Sequence, residues 1–159
     1  MNAEPEELYE VVRYVRPLHL LAARAVSDAL AGERITMGVR AVLECLSDDG
    51  PLPVPGIGRA LSLPRQVVQR LCDQALDQGL VATAPNPAHR RSPLVTLTDA
   101  GRAAFTRLHA VELRNLAEIA AGVPAEDVAA ALRVLDALAT GLPRFTRGGD
   151  PDPAQEEFA

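Results

Sequence analysis

Residues 80–101 read LVATAPNPAHRRSPLVTLTDAG, in which two strand-like runs enclose a basic loop. The runs at 80–83 and 94–97 are short and rich in Leu, Val and Thr, a composition that favours strands. The loop between them holds three prolines and the adjacent residues Arg90 and Arg91. Because proline restricts the backbone of a turn, the stretch predicts a β-hairpin with a long, braced and positively charged tip.

Three helices are predicted between residue 36 and the start of this hairpin. Thr36 is a suitable N-cap for a helix that runs to about Ser47. A short helix is predicted over 55–61, and another from Pro64 to the stop signal at Gly79. The apolar positions of this last helix are Val68, Leu71, Cys72 and Ala75, and its polar positions are Gln66, Gln69, Arg70 and Asp73. Two short helices, the second polar on one face, followed by a basic hairpin, predict a winged helix-turn-helix.

Apolar residues recur at helical spacing on both sides of this unit, in the ranges 6–31, 98–121 and 124–143. Pro17 is expected to kink or restart the first of these helices, and Gly32 to end it. Long apolar stripes at the two ends of a chain require a partner surface. A second copy of the chain is the simplest partner.

The predicted fold is therefore mainly α, with six helices and a small β-hairpin wing. Residues 35–98 form the winged helix-turn-helix lobe, and Thr98 is the predicted N-cap of the helix that leads out of it. Residues 6–31 and 99–145 form dimerisation helices. Residues 146–159 are rich in Gly, Pro and acidic side chains, which predicts a disordered tail.

The distribution of charge along the chain says more about possible partners than the net charge does. The chain has 159 residues and a net charge of −5, and all its basic side chains apart from histidine are arginine. Residues 51–110 carry +4, between −4 in residues 1–50 and −5 in residues 111–159. A basic middle segment favours one face for an anionic partner such as nucleic acid.

Several classes of protein are disfavoured. No apolar run is long enough for a membrane span. The acidic N-terminus is unlike a signal peptide, and two cysteines are too few for a disulfide framework or a structural zinc site. Neither a nucleophile-elbow motif nor a glycine-rich phosphate loop is present, so we expect a cytoplasmic, non-enzymatic protein without a cofactor.

The sequence resembles the MarR family of bacterial transcriptional regulators over about residues 8–143. The resemblance is carried by Ile35-Thr36, Arg70-Leu71-Cys72-Asp73, Gly79-Leu80-Val81 and, most specifically, the run from Asn86 to Gly101 with its wing arginines and Leu-Thr-x-x-Gly. It implies a homodimer with interlocked terminal helices whose two lobes bind a palindromic operator in double-stranded DNA. It also implies a small effector, often aromatic or anionic, that binds between dimer core and lobe and releases the DNA, with repression as the usual outcome.

The chain departs from the family pattern at three places. His89 stands where the wing usually has an acidic residue, Pro64 where Ser or Thr often opens the recognition helix, and Ala82-Thr83 where an Arg commonly follows. These departures, with the negative net charge, leave an alternative open. The alternative is a dimeric small-molecule-binding or protein-interaction protein of the same fold with weak or lost DNA binding.

Eight residues are candidates for DNA contact. On the helix from Pro64 to Gly79, Arg65 and Arg70 suit guanine, and Gln66 and Gln69 suit adenine. The resemblance assigns Arg90 to the minor groove and leaves Arg91 for phosphate, and Arg59 and Ser62 are candidate phosphate contacts. The alternative for each is an ordinary solvated surface.

Three further residues are candidates for an effector pocket. His19 falls on the apolar stripe of the first helix, and His109 and Glu112 lie one turn apart on an inward-pointing face of the fifth. A histidine there could hold an anionic ligand. The alternatives are a satisfied buried network or packing at the dimer interface; a metal site is disfavoured because ligand-spaced clusters are missing. Cys45 and Cys72 are expected in the core rather than as redox sensors.

Overall fold

The structure, a computed structural model, describes residues 3–31 and 34–145. Its helices are α1 (Pro5–Ala29), α2 (Met37–Asp48), α3 (Val54–Leu61), α4 (Arg65–Asp77), α5 (Asp99–Ala120) and α6 (Ala125–Gly141), followed by a 3-10 turn at Leu142–Phe145. Its strands are β1 (Leu52–Pro53), β2 (Val81–Ala84) and β3 (Leu94–Leu97). This architecture confirms the mainly helical winged helix-turn-helix fold.

The three strands form one antiparallel sheet in the order β1-β3-β2. The hairpin pairs Val81 with Leu97 and Ala84 with Leu94, so β3 has the predicted bounds and β2 begins one residue later than predicted. β1 was expected only as an extended connection. It pairs with β3 at the edge of the sheet, where Pro53 is tolerated because an edge strand leaves some N–H positions unused.

Both predicted threonine caps are present. Thr36 Oγ1 accepts from the backbone N–H of Val39 at 3.3 Å, and Thr98 Oγ1 accepts from the N–H of Gly101 at 3.0 Å. Thr98 Oγ1 also donates to the Gly79 carbonyl at 2.7 Å, which joins the start of α5 to the turn before β2. The Leu-Thr-x-x-Gly pattern therefore fastens the wing to α5.

The first helix differs from its prediction. Pro17 was expected to kink or restart this helix, and it does not restart it, because α1 is helical from residue 5 to residue 29. Proline removes the N–H that would bind the carbonyl four residues earlier, but Arg13 and Pro17 are both exposed, so water can replace that donor. The predicted stop at Gly32 and the predicted disordered tail at 146–159 lie outside the described residues.

The hydrophobic core belongs to the winged lobe. Its largest fully buried side chains are Val39, Val42, Leu43, Ile57, Val68, Leu71 and Cys72, from α2, α3 and α4. The first half of α5 joins this core through Ala104, Phe105 and Leu108. Within α1 and α6, all of whose residues the structure describes, no residue is buried. None of the helices in the described residues combines the length and the hydropathy that a membrane crossing requires.

Candidate nucleic-acid interface

Helix α4 has one face in the core and one face in solvent. Val68 and Leu71 are fully buried and hold the helix against the core, as the helical spacing predicts. The exposed positions on the opposite side include the four predicted base-reading residues Arg65, Gln66, Gln69 and Arg70. The helix therefore presents a row of donors and acceptors from its N-terminal half.

The turn between α3 and α4 is tightly built. Ser62 ends α3 in a left-handed conformation with φ of 56°, and the N–H of Leu63 donates to the Gly58 carbonyl at 3.0 Å. A side chain at Gly58 would place Cβ 3.1 Å from the Leu63 carbonyl oxygen, so the close approach of the turn to α3 favours glycine there. Arg59 and Ser62 are both exposed at this turn, where a phosphate contact is sterically open.

The loop of the wing is organised by Asn86, which sequence reasoning did not single out. Its side chain, on a residue that is 9% exposed, donates from Nδ2 to the Ser92 carbonyl at 2.8 Å. Its Oδ1 accepts from the N–H groups of Ala88 at 3.0 Å and His89 at 3.3 Å. Asn86 thereby ties both sides of the loop that carries Arg90 and Arg91, and both arginines are exposed.

The wing lies next to α4. A cleft of about 170 Å³ between them is lined by Arg65 and Gln69 from α4 and by Arg91 and Ser92 from the wing. Gln66, Arg70, Arg90, Arg59 and Ser62 do not line this cleft. Two predicted DNA-contacting arginines from separate elements are thus brought to one place, which concentrates positive charge there.

Gln69 is engaged within its own helix. Its Nε2 donates to Oδ1 of Asp73, one turn further along α4, at 2.9 Å. The predicted contact of Gln69 with adenine requires this exposed hydrogen bond to open. An exposed bond of this kind contributes little net stability, so the exchange costs little.

The sequence did not predict a charged cluster between α2 and α5. The guanidinium of Arg40 on α2 binds both oxygens of Glu112 on α5 and donates to Oε2 of Glu44 at 2.7 Å. It also lies 5.8 Å from the ring centroid of Phe105. Burial alone would lower the pKa of Arg40, but the hydrogen bonds to Glu112 and Glu44 raise it above its ordinary value.

The predicted effector-pocket residues lie in two different surroundings. Glu112 is largely covered and paired with Arg40, whereas His109 is stacked on Phe105 with its side chain 47% exposed. His109 is thus only half covered within one chain, because α5 leaves the core beyond Leu108, and its role in an effector pocket stays a prediction. His19 is exposed and lines a groove of about 610 Å³ between α1 and α6, together with Arg16 and apolar side chains.

Both cysteines are buried, as expected of core residues. Burial raises the pKa of Cys72 to about 11, with smaller contributions from Asp73 and Cys45. Burial also raises the pKa of Cys45, with the nearby carboxylates of Asp49 and Asp48 adding to the effect. A raised thiol pKa disfavours the reactive thiolate that a redox sensor needs. In residues 3–31 and 34–145, no group of three His, Cys, Asp or Glu side chains is arranged to hold a metal ion.

Comparison with protein families gives a match within the lobe. A family model described as MarR family matches residues 36–92, from the cap of α2 into the wing. An uncharacterized protein of Mycobacterium tuberculosis is 36% identical over 97 residues, which are 61% of this chain and 67% of that protein. The family match covers the helix-turn-helix and most of the wing, and leaves out the terminal helices.

Solved structures extend the similarity to the whole fold. A crystal structure of a MarR family transcription regulator is 31% identical, with a TM-score of 0.75 over 91% of this chain and 95% of that one. Bordetella bronchiseptica BpsR, whose DNA binding is regulated by 6-hydroxynicotinic acid, is 20% identical, with a TM-score of 0.69 over 87% of this chain and 98% of that one. The second likeness shows a shared fold alone.

Proposed function

Because the chain belongs to the MarR family of transcription regulators, we propose that it is a homodimeric repressor that binds a palindromic DNA operator and releases it when a small molecule binds. The observation that carries this proposal is the exposed polar face of α4 beside a wing with two exposed arginines. Both lie in the segment of the chain with positive net charge. A helix with this face fits a major groove, and a basic wing fits the adjacent minor groove.

The contacts divide into two kinds. Arg65 and Arg91 line one cleft and are suited to neighbouring backbone phosphates, which supply affinity that depends on salt. For Arg65 this proposal replaces the guanine contact that the sequence predicted, because the residue faces the wing. Gln66 and Arg70 project from α4 away from that cleft and are the proposed readers of base edges. Arg90 is the proposed minor-groove contact.

The terminal helices support the proposed dimer. In α5, Leu113, Leu116 and Ile119 are all more than half exposed, and α1 and α6 bury no residue. A second copy that packs its own terminal helices on these faces would remove large apolar surfaces from water. Residues 6–31 and 99–145 therefore remain the proposed dimerisation region, and 35–98 the proposed DNA-binding lobe.

The groove between α1 and α6 is the proposed effector site. Arg16 and His19 stand beside apolar side chains of both helices, including Val15 and Leu138. A small aromatic anion matches this combination, and 6-hydroxynicotinic acid, the effector of BpsR, belongs to that class. A ligand there would act by binding better to a dimer whose recognition helices no longer match successive major grooves.

The test is fluorescence anisotropy of the purified protein on the region upstream of its own gene and on scrambled DNA, at two salt concentrations. We expect tight binding that is selective and sensitive to salt. Arg90→Ala should weaken binding to many sequences and reduce the salt slope by about 1, whereas Arg70→Ala should cost about 1–3 kcal/mol at particular base pairs. Arg133→Ala, which removes an equal charge from the exposed side of α6, should have neither effect.

Weak and equal binding to both DNAs would contradict the proposal and favour the dimeric binding protein of the same fold that has lost DNA binding. Release of the DNA by a small molecule is tested separately, with the same anisotropy measurement. Addition of 6-hydroxynicotinic acid should release the operator from the native protein and not from His19→Ala, and nicotinamide, which lacks the carboxylate, should release neither.

A further inference from the structure

Arg40 and Glu112 connect two parts of the molecule with separate proposed roles. Arg40 is on α2, inside the winged lobe, and Glu112 is on α5, which leads into the dimerisation region. Nε and Nη2 of the guanidinium donate to the two oxygens of one carboxylate, so the contact is forked. The two side chains are only 11% and 17% exposed. A forked and covered ion pair fixes orientation as well as distance, unlike a pair in open water.

The pair stands at the point where α5 leaves the core. Leu108 is the last buried residue of α5, whereas Leu113, only one position beyond Glu112, is more than half exposed. The ring of Phe105 lies beneath the guanidinium at 5.8 Å and is itself buried. The first half of α5 is thus packed into the lobe, and the contact of Glu112 with Arg40 is made just before its second half projects away.

We propose that Arg40 and Glu112 are positioning residues for DNA binding, because their forked ion pair fixes the direction in which α5 leaves the winged lobe. In a dimer held together by the terminal helices, this direction determines how far apart the two α4 helices lie. Two recognition helices bind one operator only when their separation matches successive major grooves, about 34 Å. This role rests on the proposed function, since the separation matters only for a dimer on DNA.

Glu44 provides a matched control within the same cluster. It binds the same guanidinium at 2.7 Å, but it lies on α2 with Arg40 and therefore does not connect the lobe to α5. Glu112→Gln and Glu44→Gln each remove one negative charge and one carboxylate partner of Arg40. General electrostatics predicts that both variants bind the DNA polyanion slightly better. A loss of affinity that is confined to Glu112→Gln would therefore come from positioning.

The experiment measures affinity for a series of operators in which the spacing between half-sites changes by single base pairs. The native protein and Glu44→Gln should share one sharp optimum. Glu112→Gln should bind the optimal operator about 10-fold more weakly and lose much of its preference for that spacing. Arg40→Lys keeps the charge and loses the fork, so we expect an intermediate spacing profile. Circular dichroism at the same temperature confirms that each variant is folded.

Unchanged spacing profiles in Glu112→Gln and Arg40→Lys would overturn the proposal, because a pair that only stabilises the fold would not alter spacing preference. An equal change in Glu44→Gln would overturn it as well. If the native protein shows no selective DNA binding, the proposed function fails, and the pair is tested without DNA. Spin labels at Asp77→Cys and Glu118→Cys, in chains diluted with unlabelled protein, report the distance between α4 and the end of α5. If the distribution of label-to-label distances were equally narrow in the native protein and in Glu112→Gln, the positioning role would be contradicted.

Discussion

Asn86 has more influence on the wing than its neighbours because one side chain satisfies three backbone groups. Asn86→Ala should leave the Ser92 carbonyl and two N–H groups without these partners, at a cost of about 1–3 kcal/mol. We expect a disordered wing and a loss of DNA affinity similar to that of Arg90→Ala, although Asn86 is not one of the proposed DNA contacts. Anisotropy at two salt concentrations and thermal unfolding measure the two effects.

Asn115 on the exposed part of α5 serves as the control for this change. Asn115→Ala removes the same amide from a helix outside the wing and should leave the salt slope of DNA binding unchanged. If Asn86→Ala retained the salt slope of the native protein, the wing would not depend on this residue.

Cys72 should make the stability of the fold depend on alkaline pH. Its pKa rises from 9.0 to about 11 in the folded chain, mainly through burial. The unfolded thiol ionises first, so the free energy of unfolding is at its full value below pH 9 and falls as the pH rises from 9 to about 11. The expected fall is about 2–3 kcal/mol. Urea unfolding at a series of pH values measures it.

Cys72→Ala is the informative comparison for this pH dependence. The variant should be less stable than the native protein at pH 8, because it leaves a small cavity in the core. Between pH 9 and 11 its stability should fall less steeply. If the free energy of unfolding fell equally for both proteins between pH 9 and 11, the pKa of Cys72 would not be raised in the folded chain.

Single residues were predictable from the sequence where helical spacing determines exposure. The spacing places Arg65 and Gln66 outside and Val68 and Leu71 inside, and the structure agrees. It could not indicate that Arg40 pairs with Glu112, because these residues are 72 positions apart and their contact depends on how α2 and α5 pack. The sequence also could not show whether the apolar stripes that carry His19 and His109 are covered by the same chain or left open.

At the scale of the elements, the junction of β2 and α5 depends on Gly101. A Cβ at this position would lie 1.9 Å from the carbonyl oxygen of Leu80. Gly→Ala inside a helix ordinarily stabilises by about 1 kcal/mol. Here the added methyl group would collide with backbone that is held by Thr98, so we expect Gly101→Ala to destabilise the fold by about 3 kcal/mol. Chemical denaturation of the variant measures this loss.

Gly141 at the end of α6 is the matched control, because a Cβ there would have no atom within 4 Å. Gly141→Ala should be neutral or more stable by up to about 1 kcal/mol. If the two variants behaved alike, the close approach at Leu80 would not be the reason for glycine at position 101.

Helices and strands were predictable where capping residues and residue spacing agree with the packing of the folded chain. The threonine caps of α2 and α5 and the bounds of β3 follow from residue chemistry and spacing, and the structure has all three. β1 was not predictable, because it has two residues, one of them proline, and exists only through its pairing with β3. The continuity of α1 through Pro17 was not predictable either, since it depends on exposure of the surrounding turn.

At the scale of the whole molecule, the chain consists of a lobe with a complete core and terminal helices without one. The buried hydrophobic residues lie in α2, α3, α4, the sheet and the first half of α5, with Leu30, Ile35 and Leu80 in the adjoining segments. Apolar side chains of α1, α6 and the second half of α5 face outward. The lobe is therefore expected to fold around its own core, and the terminal helices to depend on a second chain.

Leu132 tests this dependence, because it is 61% exposed on the apolar stripe of α6. Leu132→Asp should weaken the dimer by about 100-fold, since a carboxylate would have to be buried without a partner. Light scattering should give twice the chain mass of 16.9 kDa for the native protein and a lower mass for the variant at micromolar concentration. Affinity for a two-half-site operator should fall with the dimer, whereas the lobe should keep its circular dichroism signal.

Ala137 allows the same charge to be placed elsewhere on α6, because it is exposed and lies away from the stripe of Leu132 and Leu135. Ala137→Asp should remain dimeric and bind the operator as the native protein does. If Leu132→Asp also remained dimeric at every concentration, the stripe of α6 would not be the interface. The exposed leucines of α1 and α5 would then have to form the dimer without α6.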